Sequence, residues 1–139
     1  MADIRLDLQA IEMIAMCERM TKVTATDFVE TGQTIYFVVP RGSMRKMRGN
    51  QGIERLSKRV GKAVRMVEAS DEPEGFLRNL FWHYGVEEVS VHEGSDGLHA
   101  RVSVSPLRKG RAIGKGGENL NALRELAKRH VGVTSLVLA

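Results

Sequence analysis

The chain has 139 residues, 42% hydrophobic and 27% charged, with a net charge of +4; this is the composition of a globular chain large enough for one ordinary domain or two small ones. A single cysteine, Cys17, excludes an internal disulfide framework and any multi-cysteine metal site. No apolar run approaches the ~20 residues of a membrane helix, and Met1-Ala2-Asp3-Ile4-Arg5 lacks a signal-peptide pattern, so no membrane association and a reducing cytoplasm are expected.

In chain order, a helical segment is predicted from about Leu6 to Lys22. Ala10, Ile11, Ile14 and Cys17 form one apolar stripe at helical spacing, and Met13, Met16 and Met20 form another. Extended stretches at Thr24–Val29 and Gln33–Val39 flank a Glu30-Thr31-Gly32 turn. A basic loop follows, then a helix from about Gln51 to Val60 closed by Gly61, and a strand Ala63–Glu68. Asp71-Glu72-Pro73 then starts a helix, with Pro73 suited to its first turn. Phe76, Leu77, Leu80, Phe81 and Tyr84 line one face, and Gly85 ends it. Strands at Val86–Val91 and Leu98–Val104 flank Gly94-Ser95-Asp96-Gly97. A basic glycine-rich loop, a helix from about Glu118 to His130 and a strand Val133–Leu138 close the chain.

One order of elements is thus written twice. The loops and the helices after them align at an offset of 67 residues, with Ile53-Glu54-Arg55-Leu56 over Leu120-Asn121-Ala122-Leu123. The join near Ser70–Pro73 is too short for a flexible tether, so the two halves are expected to hold a fixed orientation. The apolar surplus on the first helix is expected to supply part of that packing, and Trp82 to seat one unit on the other.

Charge is distributed unevenly. Residues 40–62 and 101–130 hold 16 of the 21 basic residues and 3 of the 17 acidic ones, so these windows carry +13 and the rest −9. Segregation of this kind points to a polyanion partner. Within the second window, Arg108-Lys109-Gly110-Arg111-Ala112-Ile113-Gly114-Lys115-Gly116-Gly117-Glu118-Asn119-Leu120 contains a G-x-x-G at Gly114–Gly117. Glycines allow close approach of a nucleic-acid backbone. A helix starting at about Gly117 aims free N–H groups at an anion, and Lys115 adds a charge to the phosphate path. A P-loop is excluded, since Gly110 to Gly114 leaves three residues instead of four and Gly116 stands where Ser or Thr is required. A dinucleotide fingerprint is excluded because no G-x-G-x-x-G follows a strand.

Ile-Gly-Lys-Gly-Gly-Glu-Asn-Leu at 113–120 resembles the signature loop of KH domains, and the element order resembles their type II form, α-β-β-α-α-β. The resemblance implies an α+β fold of two tandem KH domains, 1–70 with a degenerate loop and 71–139 with an intact G-x-x-G. Each would carry a three-stranded sheet with helices on one face. KH domains clamp about four nucleotides against this loop. Two such units over nearly the whole length resemble the archaeal NusA-like transcription factors, which implies single-stranded RNA binding, a role in transcription termination and antitermination, and no enzymatic activity. Bacterial relatives add further domains, one of which binds polymerase, for which 139 residues are expected to leave no room. The implied RNA-binding residues are Ile113, Gly114, Lys115, Gly116 and Gly117 with Lys109 and Arg111. In the first copy they are Arg48, Gly49 and Asn50 with Arg45 and Lys46. There Met47 and Asn50 replace the two motif glycines, so the first loop is expected to be the weaker.

The remaining chemistry-bearing residues point to no cofactor and no catalytic or metal site. His83, His92, His99 and His130 lack ligand-like spacing. Cys17 lies on an apolar face and reads as a buried thiol. None of the seven aromatics falls in a basic window, which argues against a base-stacking platform. RNA polymerase or the ribosome are further partners the resemblance allows, and a monomer is expected. Two other readings of the same residues stay open: a ribosome-associated KH protein, and a basic interaction module that docks an acidic protein.

Overall fold

The computed structural model describes residues 8–139, so the expected helix start at Leu6 lies outside the described residues. The first helix, α1 (Leu8–Thr21), ends where Lys22 takes a left-handed conformation (φ 66°). Thr21 Oγ1 donates to the Cys17 carbonyl (2.7 Å) and accepts from the Val23 N–H (3.2 Å), which satisfies groups freed at that end. Strands β1 (Asp27–Glu30) and β2 (Thr34–Val39) follow. The expected strand from Thr24 begins only at Asp27, where continuous pairing with Val38 starts.

The stretch expected to be a basic loop contains a short helix, α2 (Ser43–Met47), before α3 (Gly52–Val60) and β3 (Ala63–Glu68). Gly61 caps α3 in the left-handed region, as its position predicted. The second half repeats the order: α4 (Pro73–Leu80), a 3-10 turn at Trp82–Tyr84, β4 (Val86–Gly94), β5 (Gly97–Val104), α5 (Pro106–Ile113), a 3-10 turn at Lys115–Gly117, α6 (Glu118–Val131) and β6 (Val133–Leu138). Each half has one three-stranded sheet, β1-β2-β3 and β4-β5-β6, with an antiparallel first pair and a parallel second pair. The α+β architecture expected from the sequence, α-β-β-α-α-β in tandem, is the one observed. Among the described residues, no helix is long and apolar enough to cross a membrane.

The strand β2 explains how the halves are joined. Every residue from Thr34 to Val39 is buried. Because side chains alternate across a strand, Ile35, Phe37 and Val39 enter a core with Cys17, Leu56 and Met66 of the first half. Tyr36 and Val38, with Val67 of β3, enter a different core made mainly by Phe76, Leu77, Leu80, Leu123 and Leu126 of the second half. The first sheet is therefore covered on both faces, its own helices on one and the second unit on the other. The second sheet departs from this: along β5 the buried Ala100, Val102 and Val104 alternate with exposed or half-buried residues.

This corrects the expectation for α1. Its Met13, Met16 and Met20 pack in the first unit's own core, and Ile11 is 47% exposed, so its surplus apolar surface does not join the halves. Polar contacts add to the junction. Arg129 Nη1 donates to both oxygens of Asp27 (2.7 Å each), and His130 Nε2 lies 2.7 Å from Asp27 Oδ2. The hydroxyls of Tyr36 and Tyr84 are 2.6 Å apart, and burial holds the Tyr36 phenol far above its usual range.

His83 sits at the same junction, and burial, with the Arg65 guanidinium adding to it, lowers its pKa to about 4 against a hydrogen bond with the Met66 main chain. The unfolded chain, titrating near 6.5, binds the extra proton first, so this contribution to stability is complete above about pH 6.5 and is lost as pH falls toward 4. Melting curves from pH 7.5 to 4.5 are expected to show a steeper acid loss for the native chain than for His83→Gln. Parallel curves would show that packing at the junction does not lower the His83 pKa.

Candidate nucleic-acid interface

The turn that carries the G-x-x-G is built by two helices meeting at an angle. Pro106 starts α5 with a φ already suited to a helix. The helix stops at Gly114, whose φ of 77° and ψ of 173° belong to a region open essentially to glycine alone. Gly116 (φ 64°) and Gly117 (φ 79°) are left-handed, and a side chain added at either would meet nothing within 4 Å. Their glycine is needed for conformation and leaves the outer surface of the turn open. Lys115 and Gly116 are exposed between the helices, and no side chain caps the amino end of α6.

Asn119 fixes this turn, a role the sequence reading did not assign. It is buried, its Nδ2 donates to the Arg111 carbonyl at the end of α5 (3.0 Å), and its Oδ1 accepts from Thr31 Oγ1 of the first unit (3.0 Å). Beside it, Glu118 Oε2 accepts from the Gly32 N–H (3.2 Å). The loop of the second unit is thereby tied to the β1–β2 turn of the first. An asparagine two residues past a motif glycine was the available signal, but its partner is 88 positions away.

The structure places the remaining expected residues as follows. Ile113 is the last residue of α5, and Lys109 and Arg111 lie on that helix, not in the loop expected there. Arg45 and Lys46 are exposed on α2, which likewise replaces a loop. Met47 ends α2 with only 4% of its surface exposed. Arg48 is extended (φ −63°, ψ 127°), and Gly49 alone of this turn is left-handed (φ 86°). Asn50 does not use the left-handed tolerance of its residue type; its Oδ1 instead accepts from the Gly52 N–H (2.9 Å) and occupies a donor at the start of α3. The first turn offers fewer open glycines and fewer free donors than the second.

Each turn opens onto a cleft walled by the other unit. Beside the second, Gly114, Lys115 and Arg111 face Gln33, Thr34 and Arg65 of the first unit. Arg65 was not singled out from the sequence, and its Nε is buried without a hydrogen-bond partner. Beside the first, Met44, Met47, Arg48 and Ile53 face Asn79 and Trp82 of the second unit. Trp82 thus lies where the units meet, but at a cleft and 65% exposed, not as the packed seat expected from the sequence. Among the described residues, no group of His, Cys, Asp and Glu is placed to hold a metal ion.

No family model matches the chain. Curated relatives match it nearly end to end. The chain is 34% identical over 137 residues to the "Probable transcription termination protein NusA" of Halobacterium salinarum, covering 97% of this chain and 98% of that protein. It is 28% identical over 138 residues to the protein of that name from Thermoplasma acidophilum, covering 98% and 96%. It is 26% identical over 138 residues to that of Methanocaldococcus jannaschii, covering 98% and 75%. Among solved structures, the crystal structure of APE1850 superposes with a TM-score of 0.68 at 29% identity, covering 96% of this chain and all of that one.

Proposed function

The chain belongs to the archaeal NusA-like family, and from that premise we propose that it is a non-catalytic, single-stranded-RNA-binding factor of transcription termination and antitermination. The units 1–70 and 71–139 act as two KH domains, and the second carries the stronger grip. RNA phosphates lie against the Gly114–Gly117 turn, with Lys115 and Arg111 neutralising charge and Ile113 bordering the bases. Lys109 on α5 adds longer-range attraction. Arg45, Lys46, Arg48, Gly49 and Asn50 extend the path at the first unit. RNA polymerase is the assembly at which such a factor would act.

The observation that carries this reading is the open turn itself: Lys115 and Gly116 stand exposed between two helices while Asn119 holds the turn from behind. That arrangement suits a phosphodiester backbone, which needs close main-chain approach and positive charge. It is poorly suited to a duplex, which a cleft holding about four bases cannot admit.

The test is binding as a function of salt. Each neutralised phosphate on a single strand contributes about −0.7 to the slope of log K against log salt, so roughly four to eight contacts predict a slope near −3 to −6. Fluorescence anisotropy with a labelled single-stranded RNA, at several potassium chloride concentrations, should give that slope, and double-stranded DNA of equal length should bind more weakly. An affinity that stays flat from low to physiological salt would remove the phosphate grip. Recovery of the tagged protein with RNA polymerase, not with ribosomal subunits, is the expected outcome in cells.

A further inference from the structure

We propose that the cleft beside the first turn is a base-binding site shared by the two units, in which an unpaired guanine stacks on Trp82 and is read by Glu68. The proposal rests on the RNA-binding reading above and adds to it a base and two residues outside the basic windows.

Trp82 is the chain's one tryptophan and is 65% exposed, an unusual position for a side chain that contributes most when buried. Its place is nonetheless set by the structure. It lies in the 3-10 turn after α4, where the Gly85 N–H donates to its carbonyl (3.2 Å) and its ring meets the His83 ring edge-on (centroids 5.1 Å apart, 87°). The cleft it borders, about 420 Å³, is otherwise walled by Met44, Met47, Ile53 and Met66 of the first unit. A volume of this size with apolar walls and few polar groups suits a small flat ligand.

The polar groups narrow the occupant. Arg48 lines the cleft, and Arg45 and Lys46 stand exposed on the helix that bounds it; a ligand with a flat apolar part and an anionic part matches both. Glu68 also lines the cleft, with its Oε2 accepting from the Met44 N–H (2.9 Å). That bond holds α2 and leaves the carboxylate with further lone pairs at the cleft; they repel phosphate and suit the donor edge of a base. Guanine presents two adjacent donors, N1–H and N2–H, to a pair of carboxylate oxygens; uracil presents mainly acceptors. Asn79, whose Nδ2 donates to the Glu68 carbonyl (2.9 Å), holds the second unit against this strand. Met47 thus has a reading beyond a lost glycine: it walls a site for a base where the second unit's motif glycine serves the backbone.

The experiment uses the full chain and two probes, a 12-nucleotide oligouridine and the same length with guanosine at alternate positions. Affinity is read by anisotropy of end-labelled RNA, and the cleft by the intrinsic fluorescence of Trp82, which no other tryptophan obscures. The guanosine-bearing RNA is expected to change Trp82 emission along the same isotherm as anisotropy and to bind more tightly than oligouridine. Trp82→Ala should weaken it by roughly five- to a hundredfold with an unchanged melting temperature, and Trp82→Phe should restore part of the loss. Glu68→Gln should reduce the preference for guanosine while retaining most of the affinity for oligouridine. Normal RNA binding with no change in Trp82 emission and no effect of Trp82→Ala would overturn the site and leave the RNA-binding reading standing; the cleft would then suit an apolar side chain of a protein partner. Absence of RNA binding altogether would remove both.

Discussion

Replacing Lys115 and Gly116 together by Asp is expected to lower affinity for single-stranded RNA by roughly a hundredfold or more, while the same change at Arg48 and Gly49 costs about tenfold. The first pair places two carboxylates on the exposed turn at the amino end of α6 and removes the Lys115 charge. The folded state tolerates this. Gly116 is left-handed at φ 64° with open space around it, and Asp is among the residues that best accept that region, so the conformational cost is about 1–2 kcal/mol. The helix dipole returns about 0.3–1 kcal/mol for each carboxylate. Gly49, left-handed at φ 86° with equally open surroundings, carries a similar conformational cost, so the two double variants should match in circular dichroism and melt within a few degrees of the native chain. Their difference in affinity then reports the turns themselves. Greater loss at Arg48 and Gly49 would reverse the ranking of the two sites. No loss in either would remove the RNA-binding role.

Gly114→Ala is expected to destabilise the chain by about 3–5 kcal/mol and to weaken RNA binding at the same time. At φ 77° and ψ 173° an alanine is strained by about 1–3 kcal/mol. Its Cβ would also lie 2.8 Å from the Asn119 side chain. That amide would have to move, releasing the Arg111 carbonyl and Thr31 hydroxyl it now bridges, at about 1 kcal/mol for each bond. Two controls separate strain from tethering. Asn119→Ala removes the bridge without the strain and should cost less stability, yet still lower affinity by loosening the turn. Gly110→Ala, inside α5 with nothing within 4 Å of the added carbon, should be neutral or raise the melting temperature slightly. Thermal or urea unfolding of the three variants checks the order; a Gly114→Ala chain that melts like the native one would show that this geometry is not required.

Much of the architecture was legible locally. Pro73 stands at the start of α4, and Gly61 and Gly85 end α3 and the Trp82–Tyr84 turn in the left-handed region. These are effects of single residues on their own dihedrals, so they need no partner. Strands Ala63–Glu68 and Val133–Leu138 were found at the bounds predicted for them, as was the repeat that unites the two halves. The Gly114–Gly117 turn was readable because three glycines and a lysine state its backbone requirements directly.

What escaped the sequence depends on groups far apart in the chain. The five residues Ser43–Met47 are too few to hold a helix alone; α2 exists because Met47 is buried and Glu68, 24 positions on, accepts the Met44 N–H. Lys109 and Arg111 looked like loop residues around Gly110, but Ala112 is buried and Asn119 closes the carbonyl end of α5. The stretch Gln33–Val39 reads as a strand from its sequence, yet only the tertiary structure decided that its alternate side chains feed two different cores. The same holds for Asp27 meeting Arg129, for Trp82 facing Met47, and for Arg65 beside Lys115. Dihedral preference and period are properties of neighbours in sequence, whereas the pairing of the units is set by which surfaces remain apolar or charged once each has folded. The sequence by itself therefore determined two similar units and one well-formed turn, and tertiary packing decided that the clefts beside the turns belong to both units.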